Sequence, residues 1–398
     1  MSFRKRNTVI STAQQPTSPA QEAAGGSKTA VAQLPSGVRP SPLDGRPTTS
    51  TGTSSLDHLL AGHVGLPLGT SLLVEEQGTT DFSGVLLRYY AAEGLVQGHH
   101  VHVLGFGDSW AYGLPALAAS KDKAEPAQAT RPPEDRMKIA WRYEALANND
   151  GSSLSRRADD RQAASSTFCH SFDLSKRLAS SSIKGSLRAM PSMSPTSMSL
   201  EASATPSPFG RFLSSLEADL VGSAASVVHR VAIPSLLAPT LYASSCCRPK
   251  ELLQFLHGLR ALLRRFRTRL TAMISLPISL FPRSSGLTRW MELVCDGVIE
   301  LVPLPPDSPA FASPARSAKT DPKAADQSQG LLIVHSLPVY HEKGGGGAES
   351  NHFRENLVFS LSASKGLVIK PFSLPPLGGE DSDKGKSPAS TVKDGLDF

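Results

Sequence analysis

The chain has 398 residues with 31 prolines, 32 glycines, only 6% aromatic residues and a formal net charge of +6. Its length would allow two or three domains, but this composition leaves long stretches too poor in apolar residues to pack, so one elaborated domain is expected. Cys169, Cys246, Cys247 and Cys295 form no CxxC pair and no even framework, the basic N-terminus lacks an apolar stretch, and no apolar run reaches the roughly 18 residues of a membrane span. A disulfide-stapled secreted domain and a membrane protein are thereby excluded, and a soluble protein of a reducing compartment is expected; the mild basicity permits nucleic-acid contact.

Residues 1–48 are Ser, Thr, Pro, Gly and Ala with scattered charge and read as a disordered arm. SLLVEE, ending at Glu76, then reads as a buried strand, followed by a turn at Gly78 and a helix over 83–97. In nucleotide-binding α/β proteins such a turn holds phosphate, using glycines, a lysine and a magnesium-binding hydroxyl. Laid on Gln77 to Gly84, the GxxxxGK[ST] pattern fails throughout: Gln77 and Phe82 replace the two glycines, Ser83 the lysine and Gly84 the hydroxyl residue. The shape survives, and the helix start is expected to offer free N–H donors.

HVHVLG is the next strand, with His100 and His102 on one face and no third metal ligand nearby in sequence, so no metal site is expected. GFGDSWAYG does not match a nucleophile elbow. MKIAWRY is read as a strand; low-complexity insertions near 145–166 and 179–208 flank the block FCHSFDLSKRL. A helix over 209–225 precedes the strand VVHRVAI, which runs into Pro234, and Cys246 and Cys247 mark a turn. The segment 249–268 is the clearest helix. Leu252, Phe255, Leu256, Leu259, Leu262, Leu263 and Phe266 form its apolar stripe, with Arg260, Arg264 and Arg267 opposite.

The strand LTAMISL leads into the loop PISLFPRSSGLTRW, where Arg283 and Arg289 near Phe281 and Trp290 combine charge with stacking surface. ELVCDGVIELV is read as a strand, then an insertion near 305–329, and the strands LLIVHSL, LVFSLS and GLVIKPF. GGGG at 344–347 lacks a strand-to-helix context and reads as a flexible loop beside Lys343, a further RNA-contact candidate, and residues 377–398 are a disordered tail. Early alternation of strands and helices with strands alone at the end predicts a mostly parallel sheet covered on both faces over 49–376.

STGTSSLDHLLAGHVGLPLGTSLLVEE resembles the opening of RecA- and KaiC-type domains, and HRVAIPSLLAP resembles the strand that there ends in a magnesium-orienting acid, with Pro234 in the acid's place. GLPLGTSLLVEE, LLRYYAAEGLVQGH, RMKIAWRYE, FCHSFDLSKRL, VAIPSLLAPTLY, FLHGLRALLRR and LTRWMELVCDGVIELVPLP together resemble the PAXNEB family, the fourth subunits of the Elongator complex. That resemblance implies an α/β, RecA-like core with a degenerate phosphate loop. It implies no catalytic residues, a hetero-hexameric ring with two copies each of subunits four, five and six, contact with the remaining Elongator subunits, and location in cytoplasm and nucleus. It also implies tRNA binding during wobble-uridine modification, and it leaves ATP at ring interfaces as the one open cofactor. The alternatives are a stand-alone ATPase with an unorthodox site and a transcription elongation adaptor associated with RNA polymerase II.

Overall fold

The computed structural model describes residues 34–60, 63–118, 167–193, 207–305, 328–338, 357–363 and 366–372. Helix α1 spans Ser54–Leu59, α2 Phe82–Gln97, α3 Pro208–Gly222, α4 Pro249–Arg265 and α5 Gly286–Val294. Their starts are written locally. Ser207 caps α3 by accepting the Gly210 N–H with Pro208 in the first turn, and Ser285 caps α5 through the Thr288 N–H. In α4 the acid Glu251 lies in the first turn and Arg264 and Arg265 in the last, matching the helix dipole. Leu252, Phe255, Leu256, Leu259, Leu262 and Leu263 are its buried stripe, each contributing about 1.5–3 kcal/mol relative to exposure.

Among the described residues nine strands form one sheet, in the spatial order β14, β13, β12, β11, β4, β10, β9, β5, β8. These are β4 (Ser71–Glu76), β5 (His100–Leu104), β8 (Ser186–Met190), β9 (His229–Ile233), β10 (Leu270–Pro277), β11 (Gly297–Pro303), β12 (Gly330–Ser336), β13 (Leu357–Ser362) and β14 (Gly366–Pro371). From β11 to β8 every pairing is parallel, while β12, β13 and β14 add antiparallel strands at one side. All six residues of the central strand β4 are buried. The pleat sends Leu72 and Val74 into the core shared with α1 and α2, and Leu73 into the core shared with α3, α4 and α5. This is the mostly parallel α/β plan, covered by helices on both faces, expected from the sequence. Among the described residues no helix is long and apolar enough to cross a membrane.

Three readings of the sequence need correction. Within the expected arm 1–48, β1 (Val38–Pro40) pairs with β2 (Pro47–Thr49), which pairs in turn with β3 (Leu66–Pro67); backbone pairing orders a segment whose side chains carry little apolar signal. Within the expected insertion near 179–208, SLRAM forms β8 and extends the parallel sheet beside β5. An edge strand half open to solvent needs few apolar residues, which hid it among serines. ELVCDGVIELV is two elements, the end of α5 and then β11, divided at Cys295 and Asp296. The block FCHSFDLSKRL supplies β7 (Phe172–Arg177), paired with β6 (Pro115–Leu117) outside the main sheet. MKIAWRY, the insertion near 145–166, most of that near 305–329, GGGG and the tail 377–398 lie outside the described residues.

Candidate functional site

The phosphate-turn equivalent joins β4 to α2 at the C-terminal edge of the parallel strands, where α/β proteins place ligands. Its anion seat is taken by a side chain of the chain itself. The Glu76 carboxylate, at the last position of β4, accepts the Phe82 N–H on Oε1 and the Ser83 N–H on Oε2, both at 2.9 Å. The Thr80 hydroxyl donates to Oε1 at 2.7 Å, and the Ser83 hydroxyl donates to Oε2. The expectation of free donors at this helix start is therefore corrected, because a buried carboxylate uses them. A fixed negative charge at a helix N-terminus does what a bound phosphate would do.

The other turn residues serve this closure. Phe82 packs edge-on against Phe359 of β13, with ring centroids 4.9 Å apart. Gly78 donates its N–H to Ser279 Oγ at 2.7 Å, tying the turn to the loop after β10. At Gly84, where the magnesium hydroxyl would stand, an added Cβ would lie 2.0 Å from Asp81 Oδ1. Gln77 turns away and donates to Glu300 of β11.

Glu75, one residue earlier, follows the pleat to the opposite face. It is paired in register with Glu300, and both face the α3–α5 layer. The Glu75 side chain is 0% exposed and neither of its oxygens has a hydrogen-bond partner. Arg283 Nε is 3.3 Å from Glu75 Oε2 and 2.7 Å from Glu292 Oε1, and its second contact to Glu292 is 3.1 Å. His335 Nε2 lies 2.7 Å from Glu300 Oε2. Burial, followed by the nearby Glu292 charge, pushes the Glu75 carboxyl up to about 8 against the opposing pull of Arg283. In the sequence, the signal for both glutamates is the acidic pair that ends the otherwise apolar strand SLLVEE.

Arg283 is thus 29% exposed and held by carboxylates, whereas Arg289 of α5 is 59% exposed with one contact to Glu292 at 2.6 Å. Trp290 beside it is 56% exposed. Lys343 lies outside the described residues. Pro234 is buried just beyond β9, and the chain then turns through Ser235, whose N–H donates to Ser275 Oγ at 2.7 Å.

Two buried networks brace the core. The Asp57 carboxylate accepts the Thr51 N–H and hydroxyl, both at 2.7 Å, and the Ser50 hydroxyl at 2.5 Å, so the STGTSSLD segment folds onto its own acid. Arg230 of β9 is fully buried. Its Nε donates to His99 Nδ1 at 2.9 Å, its Nη1 to the carbonyls of Ser50 at 2.8 Å and Tyr90 at 3.0 Å, and its Nη2 to Thr49 Oγ1 at 2.6 Å. His102 stacks on His229 of β9 with Nε2 3.0 Å from His229 Nδ1; this third histidine, distant in sequence, is brought in by the β5–β9 pairing. The pair's mutual hydrogen bond engages one nitrogen of each ring.

An α/β protein with a mostly parallel sheet, whose strand-to-helix turn at the sheet's C-terminal edge is closed by its own glutamate, is the class these features define. The PAXNEB protein family model matches residues 30–398, and the chain belongs to that family. It is 32% identical over 369 residues to Elongator complex protein 4 of Schizosaccharomyces pombe, covering 89% of this chain and 92% of that protein. It is 29% identical over 341 residues to the protein of the same name from Saccharomyces cerevisiae, covering 77% and 70% respectively. A KaiC-like protein from Pyrococcus horikoshii overlays with a TM-score of 0.38 at 13% identity, covering 81% of this chain and 99% of that one.

Proposed function

We propose that this chain is a non-catalytic, RecA-like subunit of an Elongator complex. It assembles with subunits five and six in a ring holding two copies of each and contributes to tRNA contact during wobble-uridine modification. The observation that carries the reading is its likeness, over 92% of the relative's length, to Elongator complex protein 4 of S. pombe. The closed phosphate turn supports the non-catalytic part. Phosphoryl transfer needs cations at the β- and γ-phosphates and a held metal, whereas Glu76 presents a carboxylate at the turn and Pro234 stands where the orienting acid would be.

The exposed Trp290 and Leu293, one helical turn apart on α5, and Leu280 in the preceding loop offer apolar area of the kind partner interfaces bury. Beside them, Arg283 and Arg289 are retained as tRNA-contact candidates of the assembled ring, with Arg289 the better presented.

Mixing the full chain with recombinant subunits five and six should give a particle whose mass corresponds to two copies of each. A chain that stays monomeric beside both overturns the assembly. Hydrolysis of ATP by the isolated chain, at a rate unchanged by its partners, overturns the non-catalytic part.

A further inference from the structure

On the face of the sheet opposite Glu76, three strands converge on one point. Glu75 comes from β4, Glu300 from β11 and His335 from β12, and one ligand atom from each lies within 4.8 Å of the others. We propose that these three side chains form a site for one divalent transition cation of the manganese-to-zinc series.

The first argument is the unmet demand of Glu75. A buried carboxylate ordinarily accepts hydrogen bonds on both oxygens, but those of Glu75 accept none although its side chain is 0% exposed. The second is charge. Arg283 makes its two short contacts with Glu292, which also receives Arg289 at 2.6 Å, and lies 3.3 Å from Glu75 and 3.9 Å from Glu300. Glu75 and Glu300, paired in register, therefore share with Glu292 a single guanidinium that is held mainly by Glu292.

The third argument is geometry. Donors around 2.0–2.2 Å from a tetrahedral ion sit roughly 3.4 Å from each other, so adjustments of about an ångström or less per side chain close the cluster. Glu300 and His335 already touch at 2.7 Å, and an ion entering between them replaces the bridging proton. His335 is 20% exposed, which opens the cluster to solvent on the β12 side. Two carboxylates with one imidazole suit manganese or zinc; magnesium and calcium prefer oxygen alone.

The test uses the full-length chain stripped with chelator and then titrated with Mn2+ alone and with Zn2+ alone, following free Mn2+ by electron paramagnetic resonance and Zn2+ by calorimetry. The expected result is one ion per chain. Loss of a direct ligand should weaken binding at least as much as loss of an outer-sphere partner, so Glu300→Gln and His335→Gln should each cost about tenfold or more. The partly exposed His335 and the isosteric change at Glu300 keep the variants folded, verified by circular dichroism, and Mg2+ should not compete. Failure of both ions to bind stoichiometrically overturns the site, as does equal binding by the parent and both variants. Neither result bears on ring assembly.

Discussion

The carboxylate of Glu76 and the backbone N–H of Ser83 are 2.9 Å apart, and this contact seals the start of α2 from within. Glu76→Ala leaves the Phe82 and Ser83 N–H groups and two hydroxyls without their acceptor, which should cost about 1–3 kcal/mol. Glu76→Gln, which keeps an acceptor but loses the charge at the helix N-terminus, should cost less. Urea unfolding of the three proteins checks the ranking, and an alanine variant as stable as the parent would show that the contact does nothing for the fold.

Two glycines with similar backbone angles should respond differently to alanine. Gly52 has φ +78° and an added Cβ would lie 2.4 Å from the Tyr89 carbonyl oxygen, whereas Gly78 has φ +82° with nothing within 4 Å. Gly78→Ala should therefore cost only the left-handed backbone strain of about 1–2 kcal/mol, and Gly52→Ala clearly more because α2 must move. Thermal melting of both variants decides it.

Arg230 meets four neutral acceptors in a fully buried setting. Arg230→Met should destabilise the protein by about 3–5 kcal/mol, since the groups left behind are unpaired and out of reach of water. Chemical denaturation reads the loss; a change under about 1 kcal/mol would contradict the bracing role.

The buried histidines set an acid limit. Burial first, then Arg230 for His99, Arg188 for His102 and His102 for His229, lowers each to about 3. Asp219 and His100 also face the His102–His229 pair, and Arg269 faces His229. An unfolded histidine protonates near 6.5, so between pH 6.5 and 3 the unfolded chain binds more protons than the native one. Stability is then complete above about pH 6.5 and falls on the order of several kcal/mol towards pH 3. Asp57 and Glu75, raised by burial, titrate in the opposite sense and soften the slope. Urea midpoints at pH 7, 6 and 5 should fall in that order.

If the proposed ring binds tRNA through α5, Arg289→Ala should weaken binding and reduce the salt slope by about one. Arg283→Ala should mainly disturb Glu75 and Glu292. Filter binding across a salt series, with thermal melting alongside, separates the two effects; tRNA affinity untouched by Arg289→Ala removes that contact.

The readable parts of the chain were those whose signal is local and periodic. SLLVEE, VVHRVAI and LTAMISL became β4, β9 and β10, and the apolar stripe from Leu252 to Leu263 became α4. The weak elements were those stabilised by a neighbour. SLRAM is a strand because β5 lies beside it, and the division of ELVCDGVIELV depends on α5 packing against α4.

By itself the sequence determined that the phosphate turn lacked its lysine and hydroxyl, because missing chemical groups are visible residue by residue. It also carried the family, through blocks spread along most of the chain. Only the tertiary structure decided what replaced the phosphate and where the adjoining acid went: the pleat sends Glu76 to the start of α2 and Glu75 to Glu300 and His335. Strand pairing across 225 positions joins Glu75 to Glu300. Separation in sequence says nothing of such contacts, because they are made by register and burial.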